Sequence, residues 1–284
     1  MAAAAGDGAT RRKTACVTGG SGYIASALIK MLLEKGYAVK TTVRNPDDAE
    51  KNAHLKALAA LGPLEVFRAD LSEEGSFDHA VAGCDYAFLV AAPVALMPEN
   101  PEAYSVSKVL VEKAACAFAE ENGVSLVTVC PAVTVGEAPA ANDLTSVGTI
   151  LSLLSGDDAY AGALEHIERA TGSIPMVHID DVCRAEIFVA EEEAASGRYI
   201  VCGLNPTVVE IARFLAAKYP QYKVNTDRYA PMSWPWFRDF PEKPRVCISS
   251  AKLVKEGFEY KYNNLDGIYG SVVEYGRALG ILPY

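Results

Sequence analysis

The chain has 284 residues, half of them hydrophobic and 22% charged, which suits a globular protein with a sizeable core and is far from a disorder signature. Its formal net charge is −10, and no basic stripe interrupts the acidic balance, which argues against a general nucleic-acid binder. No apolar run approaches membrane-spanning length, so no membrane segment is expected.

In chain order, residues 1–13 lack the apolar core of a secretory signal and are expected as a disordered tail, with the cytosol as the default compartment. The β-prone run TACVT (14–18) leads through GGSGYIA into SALIKMLLEKG, where Ile24, Leu28, Met31 and Leu32 recur at helical spacing and Gly36 closes the helix. Strands follow at 37–44, 64–71 and 86–92, with helices expected around Ala49–Leu61 and Phe77–Val81 between them. This alternation predicts an α/β fold, a Rossmann-like parallel sheet with helices on both faces. A helix is expected over Tyr104–Asn122, with Val106, Val109, Leu110, Ala117 and Phe118 as its apolar face, and then a strand over 124–133 stopped by Pro131. The rhythm then loosens. A helix within 143–156 precedes a loop-rich stretch leading to residues 174–194, a strand near 198–202, a helix over 206–219 and the last helices near Ser250–Glu256 and Leu265–Leu279. We expect a nucleotide-binding domain over 14–133, interleaved with later segments including the strand near 198–202, and a smaller substrate-side lobe over 134–284.

Gly19, Gly22 and Ala25 stand between the first strand and first helix in GxxGxxA spacing. The first glycine permits a tight turn, the second lets backbone approach a pyrophosphate, and the small third residue lets the helix pack closely on the sheet. Arg44 ends the second strand, where a site for the bare ribose diol would hold Asp or Glu. A guanidinium suits a 2′-phosphate, so NADPH is the expected cofactor. Asp70, ending the third strand, is placed either to meet the adenine edge or to cap its own loop. Cys16, Cys84, Cys116, Cys130, Cys183, Cys202 and Cys247 show no CxxC pairing and are expected as reduced thiols; the four dispersed histidines imply no metal.

Five stretches carry a resemblance that spans most of the chain: residues 13–48 (KTACVTGGSGYIASALIKMLLEKGYAVKTTVRNPDD), 64–94, 104–136 (opening YSVSK), 177–198 (VHIDDVCRAEIFVAEEEAASGR) and YPQYKV (219–224). With them the chain resembles the plant extended short-chain dehydrogenases/reductases, most of all the anthocyanidin reductase and dihydroflavonol 4-reductase family. The resemblance implies an NADPH-dependent oxidoreductase acting on a small flavonoid substrate. It makes Tyr104 and Lys108 the catalytic pair. Gly19, Gly22, Tyr23, Ile24, Arg44, Asp70, Leu71, Val90, Lys108 and Pro131 fall near the cofactor. The pair is chemically sound: residues i and i+4 share a helix face, and a neighbouring ammonium stabilises phenolate, suiting Tyr104 to proton transfer.

One departure is large. The family has a further helix and strand between the VAAPV strand and the YxxxK helix, with the catalytic Ser or Thr just after that strand and a substrate-facing loop beyond it. Here MPENPEA (97–103) joins the flanks directly. The sheet can close with one strand fewer, at the cost of exposing what the missing helix covered. Ser105 and Ser107 do not share the Tyr/Lys face. The alternative to an active reductase is therefore a shortened, inactive isoform that retains nucleotide binding or a protein-interaction role. Trp234, Trp236, Phe237 and Phe240 offer either flat aromatic surface for a polyphenol or a Pro-rich loop pinned on the core. His178 and Asp181 are expected to be structural.

Overall fold

The computed structural model describes residues 11–90, 101–141, 145–226 and 246–284, and within 101–105 it describes the backbone. MPENPEA up to Asn100, the aromatic loop and the expected tail before Arg11 lie outside these residues. Two compact units divide the chain, Met1–Ala92 and Pro93–Tyr284.

The first unit is a four-stranded parallel sheet in the order β3-β2-β1-β4, built from β1 (Thr14–Val17), β2 (Ala38–Val43), β3 (Leu64–Arg68) and β4 (Tyr86–Phe88). Crossovers run through α1 (Tyr23–Glu34), α2 (Ala53–Leu58) and α3 (Asp78–Val81). Central β1 is buried through Ala15, Cys16 and Val17, as a strand of a parallel sheet must be. Leu28, Ile29 and Leu32 of α1 are wholly buried; each such side chain contributes roughly 1.5–3 kcal/mol by leaving water. Gly36 ends α1 at φ +88°, a value that strains any other residue. Helix α2 is shorter than the expected 49–61, because Asn45–Asn52 folds as turns.

In the second unit, α4 (Pro101–Asn122) leads to β5 (Val127–Pro131) and β6 (Val133–Val135). Pro131 ends β5 as expected, and a further short strand follows it. The proline lies opposite Val201, and β6 begins two residues on with a new partner. α5 (Thr145–Ser155) is followed by α6 (Asp158–Thr171), a helix where only loop was expected. Then come β7 (Met176–His178), α7 (Ile179–Glu191), β8 (Gly197–Val201), α8 (Val208–Lys218), a 3-10 turn at Pro220–Tyr222, α9 (Ala251–Lys255) and α10 (Leu265–Ala278). β5 pairs in parallel with β8, and β6 with β7. Close helix contacts need glycine: a Cβ on Gly148 would lie 2.7 Å from the Tyr160 ring, and one on Gly276 would lie 2.4 Å from Leu151.

Among the described residues β4 pairs with β1, and β5 with β8. The apolar face expected on α4 is uncovered, with Val106, Val109, Leu110 and Phe118 all at least half exposed. All seven cysteines are free thiols, and burial pushes Cys16 up to about 11. Among the described residues no helix is long and apolar enough to cross a membrane.

Asp181 and His178 both serve packing. The wholly buried Asp181 carboxylate accepts from the Lys261 and Tyr262 amides, each at 2.9 Å, and from Arg184 at 2.6 Å. His178 Nδ1 accepts from the Asp180 amide and caps α7, so Nε2 carries the proton and donates to Ser271 Oγ at 2.9 Å. With its ring stacked on Tyr262, burial holds His178 down to about 4.

Glu186 on α7 has a different environment. The residue is half-buried, yet its Oε2 is enclosed without a hydrogen-bond partner, and burial raises the carboxyl to about 8. A raised acid stays protonated in the fold while the unfolded chain ionises it, so stability falls as pH rises from the ordinary carboxylate range towards 8. Glu186→Gln is expected to raise unfolding free energy at pH 7 by about 2 kcal/mol and to flatten the decline between pH 5 and 8. Denaturant titrations across that range check this; equal pH slopes would contradict it.

Candidate active site

The first unit builds its site around the turn from β1 to α1. The Gly19 N–H donates to Thr42 Oγ1 at 3.1 Å, and the Gly20 N–H to the Thr42 carbonyl at 2.8 Å. The Gly22 N–H closes the turn onto the Gly19 carbonyl at 2.8 Å, and Gly19 has φ +73°. The turn is thus held against the end of β2. A Cβ on Gly20 would stand 2.3 Å from Thr41 Oγ1, which itself donates to the Val17 carbonyl at 2.7 Å. Among the described residues this makes Gly20 the glycine with least room, and the GxxGxxA pattern passed over it; the adjacent Gly19-Gly20 pair was the available signal.

Gly22 is exposed at the N-cap of α1, and buried Ala25 lets the helix lie close to the sheet. The first turn of α1 carries no acidic residue and no side-chain cap, so its amide end offers positive potential to an anion. Tyr23 and Ile24, the first two helical residues, are half-buried. Arg44 follows β2 directly, is exposed, and makes no hydrogen bond or ion pair among the described residues. Asp70 caps its own loop: its Oδ1 accepts from the Ser72 amide at 2.9 Å and the Ser72 hydroxyl at 2.6 Å. Those bonds hold its carboxyl below the ordinary range, with the Arg44 and Arg68 charges adding to the effect. Leu71 beside it is exposed, and Val90 is half-buried.

In the second unit, Tyr104 lies on the backbone of α4 one turn before Lys108, and its side chain is outside the described residues. Lys108 is half-buried, and burial lowers its ammonium below the usual lysine range. Ser107 is exposed on α4, and Pro131 is exposed at the end of β5. The residues of the first unit fit a dinucleotide: a glycine cradle that a Cβ would fill, an open helix N-terminus for the pyrophosphate, and an unpaired guanidinium at the strand end. When bound, the nicotinamide would supply a hydride.

The NAD(P)H-binding family profile matches residues 19–171, more than half of the chain. The site therefore belongs to a nicotinamide-nucleotide oxidoreductase class. Anthocyanidin reductase ((2S)-flavan-3-ol-forming) from Vitis vinifera is 40% identical, with 95% of this chain and 97% of the relative covered. Dihydroflavonol 4-reductase from Gerbera hybrida is 30% identical, with 95% and 88% covered. Vestitone reductase from alfalfa (Medicago sativa) superposes with a TM-score of 0.77 at 27% identity, covering 95% of this chain and all of that one. The chain belongs to the anthocyanidin reductase and dihydroflavonol 4-reductase group of extended short-chain dehydrogenases/reductases. The match to the Vitis reductase runs over 338 positions, whereas this chain has 284 residues, so at least 54 positions of that alignment are empty here.

Gly20→Ala tests the cradle. The methyl group must displace Thr41 and loosen the β1–β2 end, with an expected loss of about 1–3 kcal/mol of stability. Chemical denaturation of the two proteins measures it; an unchanged midpoint would mean the turn relaxes freely.

Proposed function

We propose that this chain binds NADPH through its first unit and derives from a reductase of flavonoid substrates. Nucleotide binding is assigned to residues 14–133 with β8, and substrate contacts to residues 134–284. The observation that carries the proposal is the turn clamped by Thr42, with the unpaired Arg44 at the adjoining strand end. Gly19, Gly22, Tyr23 and Ile24 would receive the pyrophosphate, Arg44 the 2′-phosphate, and Asp70 and Leu71 the adenine side. Val90, Lys108 and Pro131 would flank the nicotinamide half. The similarity to anthocyanidin and dihydroflavonol reductases over nearly the whole chain supports a polyphenolic substrate.

In this scheme Lys108 would hold the nicotinamide ribose and favour phenolate at Tyr104, which would ease transfer of the phenolic proton to the substrate oxygen. The resemblance requires a Ser or Thr donor on that same oxygen, delivered by a strand that this chain lacks. Two observations favour the second reading, a shortened isoform that binds nucleotide without effective turnover. At least 54 alignment positions are empty, and apolar residues of α4 lie exposed. Losing one well-placed donor costs roughly 10²–10³ in turnover.

Two outcomes follow. Calorimetric titration should show NADPH binding roughly 10–100-fold more tightly than NADH, the scale of a charged hydrogen-bonding contact. Arg44→Ala should erase the difference, and equal affinities in the unsubstituted protein would remove Arg44 from the site. Purified folded protein should oxidise NADPH with anthocyanidins or dihydroflavonols at or below detection. Robust turnover that disappears in Tyr104→Phe would show that another residue has replaced the missing donor.

A further inference from the structure

The first turn of α2 touches the nucleotide turn at a point outside the glycine motif. His54 Nε2 lies 2.9 Å from the Gly20 carbonyl. A carbonyl only accepts, so Nε2 carries the hydrogen and donates it. The Gly20 N–H is already committed to the Thr42 carbonyl at 2.8 Å, so both peptide groups flanking the Gly20 Cα are fixed. The peptide that follows is trans, which sets its carbonyl and its N–H on opposite sides of one plane. Drawing the Gly20 carbonyl towards His54 therefore turns the Ser21 N–H the other way. That N–H meets no protein acceptor among the described residues. Two residues before His54, Asn52 Nδ2 donates to the Asn45 carbonyl at 2.8 Å, next to Arg44. The start of α2 thus ties together the glycine turn and the segment that carries Arg44.

We propose that His54 is a positioning residue for the pyrophosphate, holding the Gly20 carbonyl so that the Ser21 N–H is presented to the anion. The inference rests on the assignment of the turn to a dinucleotide. It deepens that assignment by adding a side chain that acts through backbone and touches no part of the cofactor. Because the pyrophosphate is common to both nucleotides, His54 acts on NADPH and NADH alike, whereas Arg44 acts on the 2′-phosphate alone. The requirement is a donor of the reach of Nε2. Glutamine meets it, asparagine is one methylene short, and leucine has no donor.

The test is calorimetric titration of NADPH and of NADH into the full chain and into His54→Leu, His54→Asn and His54→Gln, with melting temperatures alongside. Leu and Asn should weaken both nucleotides by about tenfold, in equal proportion, as expected when one fixed donor is lost from a preorganised site. Gln should stay within about threefold of the unsubstituted chain. The contrast between Asn and Gln carries the test even if the Leu protein does not fold. Unchanged affinity in Asn, a loss confined to NADPH, or a Gln protein as weak as the Asn protein would each overturn the inference. If the unsubstituted chain bound neither nucleotide, the dinucleotide assignment would fall and this inference with it; that failure is visible before any substitution is made.

Discussion

The amide hydrogen bonds from Gly19 and Gly20 to Thr42 set where α1 begins relative to the end of β2. Everything the first unit offers a nucleotide depends on that contact. It brings the β1–α1 turn so near β2 that no side chain fits at Gly20, and it leaves Gly22 exposed at the helix start. The same strand end carries Arg44, so phosphate cradle and guanidinium share one short piece of backbone. The two strands that meet at this contact, β1 and β2, are buried over most of their length.

The second unit is held by different means. Its buried polar groups are nearly all satisfied: Asp181 by two amides and a guanidinium, His178 by a cap and a serine, and Glu168 by the Val208 amide at 2.7 Å. Buried charge is tolerated here because every lone pair that matters finds a donor. Glu186 is the exception, and it answers burial by staying protonated. The α4 helix contrasts with this economy. It is tied down by the Arg198–Glu112 pair, with bonds of 2.9 and 2.7 Å, and by buried Ala119, while much of its apolar surface has no cover. An apolar face of this kind is one that a packed neighbour would ordinarily cover.

Strands and helices of the first unit were legible because their signals are local and strong: β-prone runs, a glycine turn and an amphipathic helix ended by Gly36. Helix α6 was missed because its inward face is built largely from small residues, Ala161 and Ala163 beside Leu164, and from the buried Glu168, so few large apolar side chains mark a helix that is clearly amphipathic. Its ends were readable, with Asp157 capping the Ala159 and Tyr160 amides and Gly172 at φ +73°. The second strand after Pro131 was missed because partner exchange between β8 and β7 leaves no mark on a run of valines. At the candidate site, residue types alone suggested Arg44 and the glycines as nucleotide contacts. The His54 contact could not be read in advance, since it joins residues 34 apart through a main-chain oxygen.

The central claim is that the first unit carries the surface for the adenine and pyrophosphate half of the nucleotide, whatever becomes of catalysis. Amide hydrogen exchange with and without saturating NADPH tests it most directly, since it needs no turnover and reports each backbone segment separately. The account predicts slowed exchange across residues 19–24 and 44–54 when NADPH is present. Unchanged exchange in both segments at saturating nucleotide, or protection confined to the second unit, would contradict it.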